Sequence, residues 1–264
     1  KTAAVEKKAF AKTIRAVGRV EYNEKALSAV NLKFGGWVEE LFVKSTGESV
    51  RKGAPLLVIY SPDLLEAQKN YLLSLEARSS LGDKPPAEAL AFSEQSLRSA
   101  RERLTLWDLT GEQLKALEER KEPETRVTMF SKVEGVVLKR NIAQGSYAEP
   151  GRDLYEVADL STVWVHADVY AYEVSEVKVG LEATVHLPSM PGGFLKGTVA
   201  YVYPYFNQET RTVRVRLEVP NPDGTLRPGD YGNVAIAVDL GEQLVVDDQA
   251  ILDSFGQGLF HRDH

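Results

Sequence analysis

The spacing of apolar residues divides the chain into two stretches with a strand pattern and one stretch with a helix pattern. Apolar residues alternate with polar ones, or gather in short runs between glycines, in the first 60 residues and again from Thr125 to about Val238. The clearest case is Thr212–Val219, where every second residue is apolar. Residues 61–122 instead repeat with a period near 3.6. We therefore expect a mainly β protein with a helical insertion. The first stretch predicts strands at Thr13–Val20, Ala26–Leu32, Trp37–Val43 and Pro55–Tyr60.

Three helices are predicted within the insertion. Ser61, Pro62 and Asp63 supply an N-cap, a proline at the first helical position and an acid in the first turn. A turn follows at 80–86, and a second helix runs from about Ala87 to Trp107. Thr110 to Gln113 resembles a capping box that opens a third helix, which Pro123 closes. The apolar face of the first helix is formed by Leu64, Leu65, Gln68, Tyr71, Leu72 and Leu75.

The insertion has two readings. Its heptad stripe of Leu90, Leu97 and Leu104 is typical of a packing face with no binding role. The insertion also suits a projecting helical hairpin. Three helices, however, end on the wrong side of a bundle to re-enter the sheet. Either the second helix is broken, or Pro123–Val127 returns as an extended segment.

An internal repeat flanks the insertion. Gly36, Val38, Gly47, Gly53 and Leu56 on one side match Gly135, Val137, Gly145, Gly151 and Leu154 on the other, with one residue gapped. Each copy reads as strand, glycine turn, glycine turn, strand. Neither copy can bury its apolar face alone, so we expect the two copies to interlock in one flattened sandwich.

Composition narrows the function classes. The 264 residues are 43% hydrophobic and 27% charged, which is typical of a globular protein. A net charge of −6 without a basic block argues against nucleic acid as the partner. There is no cysteine, which excludes disulfides and thiolate chemistry. The sequence contains no run of 18 apolar residues, so we expect no segment of it to span a bilayer. Lys1–Lys8 is not a signal peptide, but it fits what remains after one has been removed.

The repeated glycine pattern resembles the biotinyl/lipoyl fold. Carrier domains of that fold present a lysine on a hairpin between the two halves, and here about 60 residues of helix take that place. A lipoyl fold split by helices resembles the periplasmic adaptor, or membrane fusion, proteins of tripartite efflux pumps. Ser161–Val165, Gly197–Val199 and Glu209–Arg216 are similar to the strands of that family's β-barrel domain. The run Ser61–Leu72, with its Ala67, Gln68 and Tyr71, is similar to the CusB-like heavy-metal branch of RND-type pumps.

This resemblance implies an elongated modular protein with four parts. A partial membrane-proximal domain takes residues 1–9 and 241–264, and a β-barrel takes 10–27 and 160–240. A lipoyl-like barrel-sandwich hybrid takes 28–60 and 125–159, and a three-helix hairpin takes 61–124. We expect the sequence to be truncated at both ends.

The resemblance also implies a role without catalysis. The protein would lie in the periplasm, associated with the inner membrane when complete, and would link an inner-membrane RND transporter to an outer-membrane channel, with heavy-metal ions as the expected cargo. Arg211, Arg214 and Arg216, which we expect at alternating strand positions, would contact the transporter. Leu81, Gly82, Asp83 and Lys84 would contact the channel. Neighbouring copies would form a ring of six through their sandwiches.

Few residues could hold a metal. His186 and Met190 flank a short loop and could bring nitrogen and sulfur ligands together, and His166 lies two residues before Asp168. We expect no resident cofactor, with at most transient binding of a transported ion. The alternatives left open are an adaptor for a drug exporter or ABC-type exporter, and a lipoyl or biotin carrier.

Overall fold

The structure is a computed structural model that describes residues 6–82, 85–188 and 193–245. It is mainly β, as the alternation predicts. The chain divides into two compact units, which are called here the barrel unit (through Glu21 and from Ser161 onward) and the sandwich unit (Tyr22–Leu160).

Strands and helices follow the predicted order. The strands are β1 (Glu6–Tyr22), β2 (Leu27–Asn31), β3 (Gly36–Leu41), β4 (Ser49–Val50), β5 (Pro55–Tyr60), β6 (Arg126–Phe130), β7 (Gly135–Arg140), β8 (Tyr147–Ala148), β9 (Asp153–Ala158), β10 (Thr162–Tyr170), β11 (Glu182–His186), β12 (Phe194–Asn207), β13 (Thr212–Pro220) and β14 (Tyr231–Val245). The helices are α1 (Pro62–Ser79), α2 (Ala87–Leu106) and α3 (Gly111–Arg120).

The barrel unit is a closed six-stranded barrel in the order β1, β10, β13, β12, β11, β14. Alternate residues of each strand fill its interior, because successive side chains of a strand point to opposite faces. On β10 and β13 these residues are Val163, Val165, Ala167, Val169, Val215, Leu217 and Val219. The sequence pattern TVRVRLEV therefore has its apolar positions inside and its charged positions outside.

The ends of β1 and β14 continue the barrel ladder. Their pairing runs from Arg19 and Tyr231 to Glu6 and Val245, with an irregularity between Ala9 and Ala11. Residues 6–9 and 241–245, for which the sequence predicts a partial membrane-proximal domain, lie within β1 and β14. The rest of that assignment, 1–5 and 246–264, lies outside the described residues.

The sandwich unit interleaves the two sequence repeats. One sheet has the order β2, β9, β7, β4 and the other β6, β5, β3, β8, so each sheet takes two strands from each repeat. Equivalent strands occupy equivalent places, since β2, β9, β7 and β4 correspond to β6, β5, β3 and β8. The apolar residues of both repeats form one core. The predicted interlocking is confirmed.

Gly47 and Gly145 illustrate the symmetry of the repeats. Their φ angles are 87° and 83°, in the left-handed region that favours glycine. The amide of Gly47 donates to the carbonyl of Val137 at 2.8 Å, and the amide of Gly145 donates to that of Val38 at 2.7 Å. Because Val38 and Val137 are themselves equivalent, each repeat binds the other through the same pair of positions.

The helix boundaries follow the predicted capping signals. Ser61 Oγ accepts from the amide of Leu64 at 3.2 Å, and Pro62 opens α1. Thr110 and Gln113 form the predicted capping box at the start of α3. The helix ends before Pro123, because Lys121 adopts a left-handed φ of 59°.

The return from the helices to the sheet settles the earlier alternative. The second helix is unbroken from Ala87 to Leu106. Residues 121–125, called here the return segment, are neither helix nor strand and lead into β6 at Arg126.

Each of the three helices contributes to the sandwich core. That core includes Leu64, Ala67, Tyr71, Leu104, Leu109, Leu114 and Leu117 together with strand residues such as Phe34 and Ile59. Trp107, at the end of α2, packs on Phe34 with ring centres 5.3 Å apart. The base of the helical segment is therefore part of the sandwich fold.

Beyond this base, α1 and α2 pack mainly on each other. Ser74 and Ser96 hydroxyls lie 3.3 Å apart, and Arg78 pairs with Glu94 at 3.4 Å, so the two helices run antiparallel. No helix in the described part of the chain is long and apolar enough to cross a membrane.

Candidate interaction surfaces

The two arginines of β13 share the outer face of the barrel but have different surroundings. Arg214 is exposed and lies 3.6 Å from the carboxylate of Asp168, its cross-strand partner on β10. Arg216 is half-buried, and its guanidinium carbon lies 4.0 Å from the ring centre of Trp164 and 5.3 Å from that of Tyr201. Arg216 thus packs within the barrel surface, whereas Arg214 is available to a partner.

The third predicted arginine is not on the strand. Arg211 lies in the turn before β13 with a left-handed φ of 55°, so the expected alternation covers Arg214 and Arg216 but not Arg211. The turn is organised by Asn207, whose side-chain oxygen accepts from the amides of Glu209 and Thr210 at 2.9 and 3.3 Å. Such side-chain turns are not visible in the hydrophobic period, which is why the sequence pattern misplaced Arg211.

An aromatic row extends from Arg216 along β12. The rings of Tyr201, Tyr203 and Tyr205 follow one another at centre distances of 5.1 and 5.3 Å. Tyr205 is 60% exposed, and the neighbouring Phe206 is 46% exposed. Aromatic residues and arginine are enriched at protein–protein interfaces. The signal is present in the sequence as the dense aromatic run Tyr201–Phe206, which was not among the predicted site residues.

A second aromatic group lies on the sandwich. Trp37 on β3 has Tyr60 of β5 and Tyr147 of β8 as its cross-strand partners. The ring centres are 6.0 and 4.9 Å from that of Trp37, and Trp37 and Tyr147 are each 46% exposed. This group was also missed, because its members are far apart in sequence and meet only through strand pairing.

The candidate metal ligands that the structure describes are His166 and His186, and they lie on different strands. His166 lies on β10, between Trp164 and Tyr203, at ring-centre distances of 6.3 and 5.9 Å. His186 ends β11 and packs on Phe194 at 5.4 Å, and β10 and β11 are not neighbours in the barrel. Met190 lies outside the described residues. Within the described ranges, no group of three or more His, Cys, Asp or Glu side chains could hold a metal ion.

The predicted tip of the helical segment is described in part. Leu81 is half-buried and Gly82 is exposed with a φ of 65°, just after α1 ends. Asp83 and Lys84 lie outside the described residues. Near this tip, Phe92 of α2 is 78% exposed. The seven-residue leucine repeat does not indicate an exposed Phe92, because Phe92 is out of phase with Leu90, Leu97 and Leu104.

The two ends of the insertion meet on one sheet. Tyr60 and Arg126 are register partners on β5 and β6, so the helices occupy the connection between the two repeats. A short turn bearing a lysine, as a lipoyl or biotin carrier needs at this place, is replaced by three helices. This feature favours an adaptor over a carrier.

Family models match both units. A model of the CusB-like β-barrel domain matches residues 162–239, and a model of the CusB barrel-sandwich hybrid domain matches residues 27–158. The chain belongs to the CusB-like family of membrane fusion proteins. The two matched domains correspond to the barrel unit and to the sandwich unit with its helices.

Individual CusB-like relatives agree with this assignment. The chain is 27% identical to the cation efflux system protein CusB of Escherichia coli K12 over 235 residues. This match covers 89% of the chain and 54% of CusB. It is 26% identical over 255 residues to the cobalt-zinc-cadmium resistance protein CzcB of Cupriavidus metallidurans, covering 92% of this chain and 48% of CzcB. The chain thus spans about half the length of these curated relatives.

The crystal structure of ZneB from Cupriavidus metallidurans has a similar fold. It is 26% identical to this CusB-like chain, with a TM-score of 0.53, and the match covers 87% of this chain and 99% of ZneB.

Proposed function

We propose that this chain belongs to a periplasmic adaptor that joins an inner-membrane RND transporter to an outer-membrane channel and supports export of heavy-metal ions. The observation that carries the proposal is the interleaved sandwich with helices inserted at its seam, followed by a closed barrel, in a member of the CusB-like family. The names of CusB and CzcB, which refer to cation efflux and to cobalt, zinc and cadmium resistance, support a metal cargo.

Within this proposal, α1 and α2 form the hairpin whose end, Leu81 to Lys84, contacts the channel. Arg211 and Arg214 on the barrel contact the transporter, and Arg216 supports that surface through Trp164. The sandwiches of neighbouring copies pack side by side in a ring of six. Residues at the two chain ends belong to a membrane-proximal part near the inner membrane. The protein has no catalytic activity, because its role is to seal and align a path.

Metal tolerance tests the proposed function. Deleting the gene from its host should lower tolerance to one or more of copper, silver, zinc, cobalt and cadmium ions, and the natural gene should restore it. If tolerance to drugs falls instead, and tolerance to metals stays at the wild-type level, the protein serves another exporter class and the metal proposal is wrong.

The transporter contact can be tested by charge reversal. Arg214→Glu should reduce tolerance and the yield of transporter captured with the adaptor, since it reverses an exposed charge on the barrel. Lys115→Glu is the matched control, because Lys115 is an exposed cation on α3 whose side chain is 77% accessible. Equal effects of the two substitutions would contradict a specific barrel contact.

The channel contact can be tested by cross-linking, because these 264 residues contain no cysteine that would compete with an introduced one. In the full-length adaptor, Leu81→Cys should cross-link to the outer-membrane channel in cells, and Ser49→Cys, exposed on β4 of the sandwich, should not. A product at Ser49→Cys alone would place the channel elsewhere.

A further inference from the structure

A buried glutamine on the apolar face of α1 requires an explanation. Gln68 is 2% exposed and sits among Leu64, Ala67 and Tyr71, which are also buried. Burying an amide costs free energy unless its polar atoms are hydrogen-bonded. A leucine at this position would be easier to bury.

Both polar atoms of Gln68 are paired with one residue of the return segment. Its Nε2 donates to the carbonyl of Glu124 at 2.9 Å, and its Oε1 accepts from the amide of Glu124 at 2.8 Å. The amide side chain of Gln68 therefore binds the main chain of Glu124 as a neighbouring strand would. Two paired strand residues also exchange one N–H···O bond in each direction. The side chain of Glu124 is held separately, by Arg120 at 3.4 Å.

Tyr71, one turn further along α1, is joined to α3 in a similar way. Its ring is 1% exposed, and its hydroxyl donates to the carboxylate of Glu118. Burial and the bond to Glu118 raise the pKa of Tyr71 to about 12, while Arg101 of α2 acts in the opposite sense. Tyr71 is therefore a protonated donor at physiological pH, at a point where α1, α2 and α3 come close.

These contacts include the last buried residue of α1, Tyr71. The buried residues of α1 are Leu64, Ala67, Gln68 and Tyr71, and the eight residues from Leu72 to Ser79 contain none. At about 1.5 Å per residue, the unburied part of α1 is about 12 Å long. A change of angle at Tyr71 would displace the end of the helix by several ångströms.

We propose that Gln68 and Tyr71 are positioning residues which, with Glu118 and Glu124, form a clasp that fixes the direction of α1 and α2 relative to the sandwich. Apolar contacts are not directional, and they allow one helix to rock on another. Hydrogen bonds require defined distances and angles, so they oppose such rocking. The clasp follows from the contacts within the sandwich unit, whereas its use in aiming the tip at a channel rests on the proposed function.

A distance measurement tests the clasp. Because the chain has no cysteine, spin labels at Ala77→Cys on α1 and Ser49→Cys on β4, both exposed, give one defined pair within the sandwich unit. Double electron–electron resonance should show a narrow distance distribution in the parent. Gln68→Leu keeps a side chain of similar size and removes both hydrogen bonds to Glu124. This substitution should at least double the width of the distance distribution.

Gln95→Leu is the matched control, because Gln95 is an exposed glutamine on α2. It should leave the distribution unchanged. Equal distributions in Gln68→Leu and Gln95→Leu would overturn the proposal.

If Gln68→Leu does not fold, Tyr71→Phe provides a second test. This substitution removes only the hydroxyl that binds Glu118, so it changes the packing least. It should also broaden the distribution, and Glu118→Gln should not, because the amide oxygen still accepts from the tyrosine. A parent-like distribution in a folded Tyr71→Phe would remove Tyr71 from the clasp. The measurement needs no transporter or channel, so its failure would leave the proposed function standing.

Discussion

The guanidinium of Arg216 lies over the indole ring of Trp164, at 4.0 Å from its centre, on the outer face of the barrel. Trp164 is only 2% exposed although it faces away from the barrel interior. The neighbouring Arg214 instead reaches Asp168, and the side chains of both residues are about half exposed. Two arginines separated by one residue therefore differ in what they contribute.

Substitution of the two arginines should separate these contributions. Arg216→Met should lower the free energy of unfolding of the barrel unit by about 1 kcal/mol, because a sheltered cation–π contact is lost. Arg214→Met should change it by less than about 0.5 kcal/mol, since exposed ion pairs contribute little. Urea unfolding followed by tryptophan fluorescence measures both. A larger loss in Arg214→Met would contradict the assigned packing role.

Equivalent glycines of the two repeats should respond alike. Gly47→Ala and Gly145→Ala should each cost about 1–2 kcal/mol, because alanine is strained at their positive φ. Gly111→Ala is the control, since Gly111 opens α3 without a positive φ and an added Cβ would meet no atom within 4 Å. It should leave stability unchanged or slightly higher. Unequal costs at Gly47 and Gly145 would contradict the symmetry.

Alkaline pH should weaken the sandwich unit. Burial is the main cause that raises the pKa of Tyr71 and of Tyr155 to about 12. An unfolded tyrosine loses its proton near pH 10, so the folded state binds more protons between about pH 10 and 12. The stability from each tyrosine is complete below pH 10 and falls by about 2–3 kcal/mol as pH rises to 12.

Tyr71→Phe tests this pH dependence. Urea unfolding at stepped pH should show a shallower decline in this variant than in the parent. Tyr172→Phe, which alters a side chain 76% exposed, should decline like the parent. Identical slopes in all three proteins would disprove the role of Tyr71.

The shared core of helices and sandwich can be tested on α2. Leu104→Ala should cost about 2–5 kcal/mol, because Leu104 is fully buried. Leu106→Ala, two residues later and 69% exposed, should change stability by less than about 0.5 kcal/mol. A small cost at Leu104 would mean that the helices fold apart from the sandwich.

Much of the fold could be predicted, because it depends on local signals. Alternation gave the barrel strands, and Ser61 and Thr110 marked helix starts through hydrogen bonds within one turn. The matched glycines indicated interlocking, since two half-sandwiches need each other to bury apolar surface.

The rest depends on which strands become neighbours. The sequence suggests His166 as a metal ligand but does not show that Tyr203, 37 residues away on β12, packs against its ring. The partner of Gln68 is 56 residues away, and nothing in the helical period indicates it. Trp37, Tyr60 and Tyr147 form one surface only after three strands pair.

The pairing of Tyr60 with Arg126 has an evolutionary consequence. The insertion leaves and re-enters the sheet at adjacent positions, and between Tyr71 and Leu104 the only buried residue in the described part is Ser93. Whole helical turns could be gained or lost there without disturbing the sandwich, each changing the span by about 5.4 Å. The length of the helical segment can therefore vary among members of this family while the sandwich that carries it stays the same.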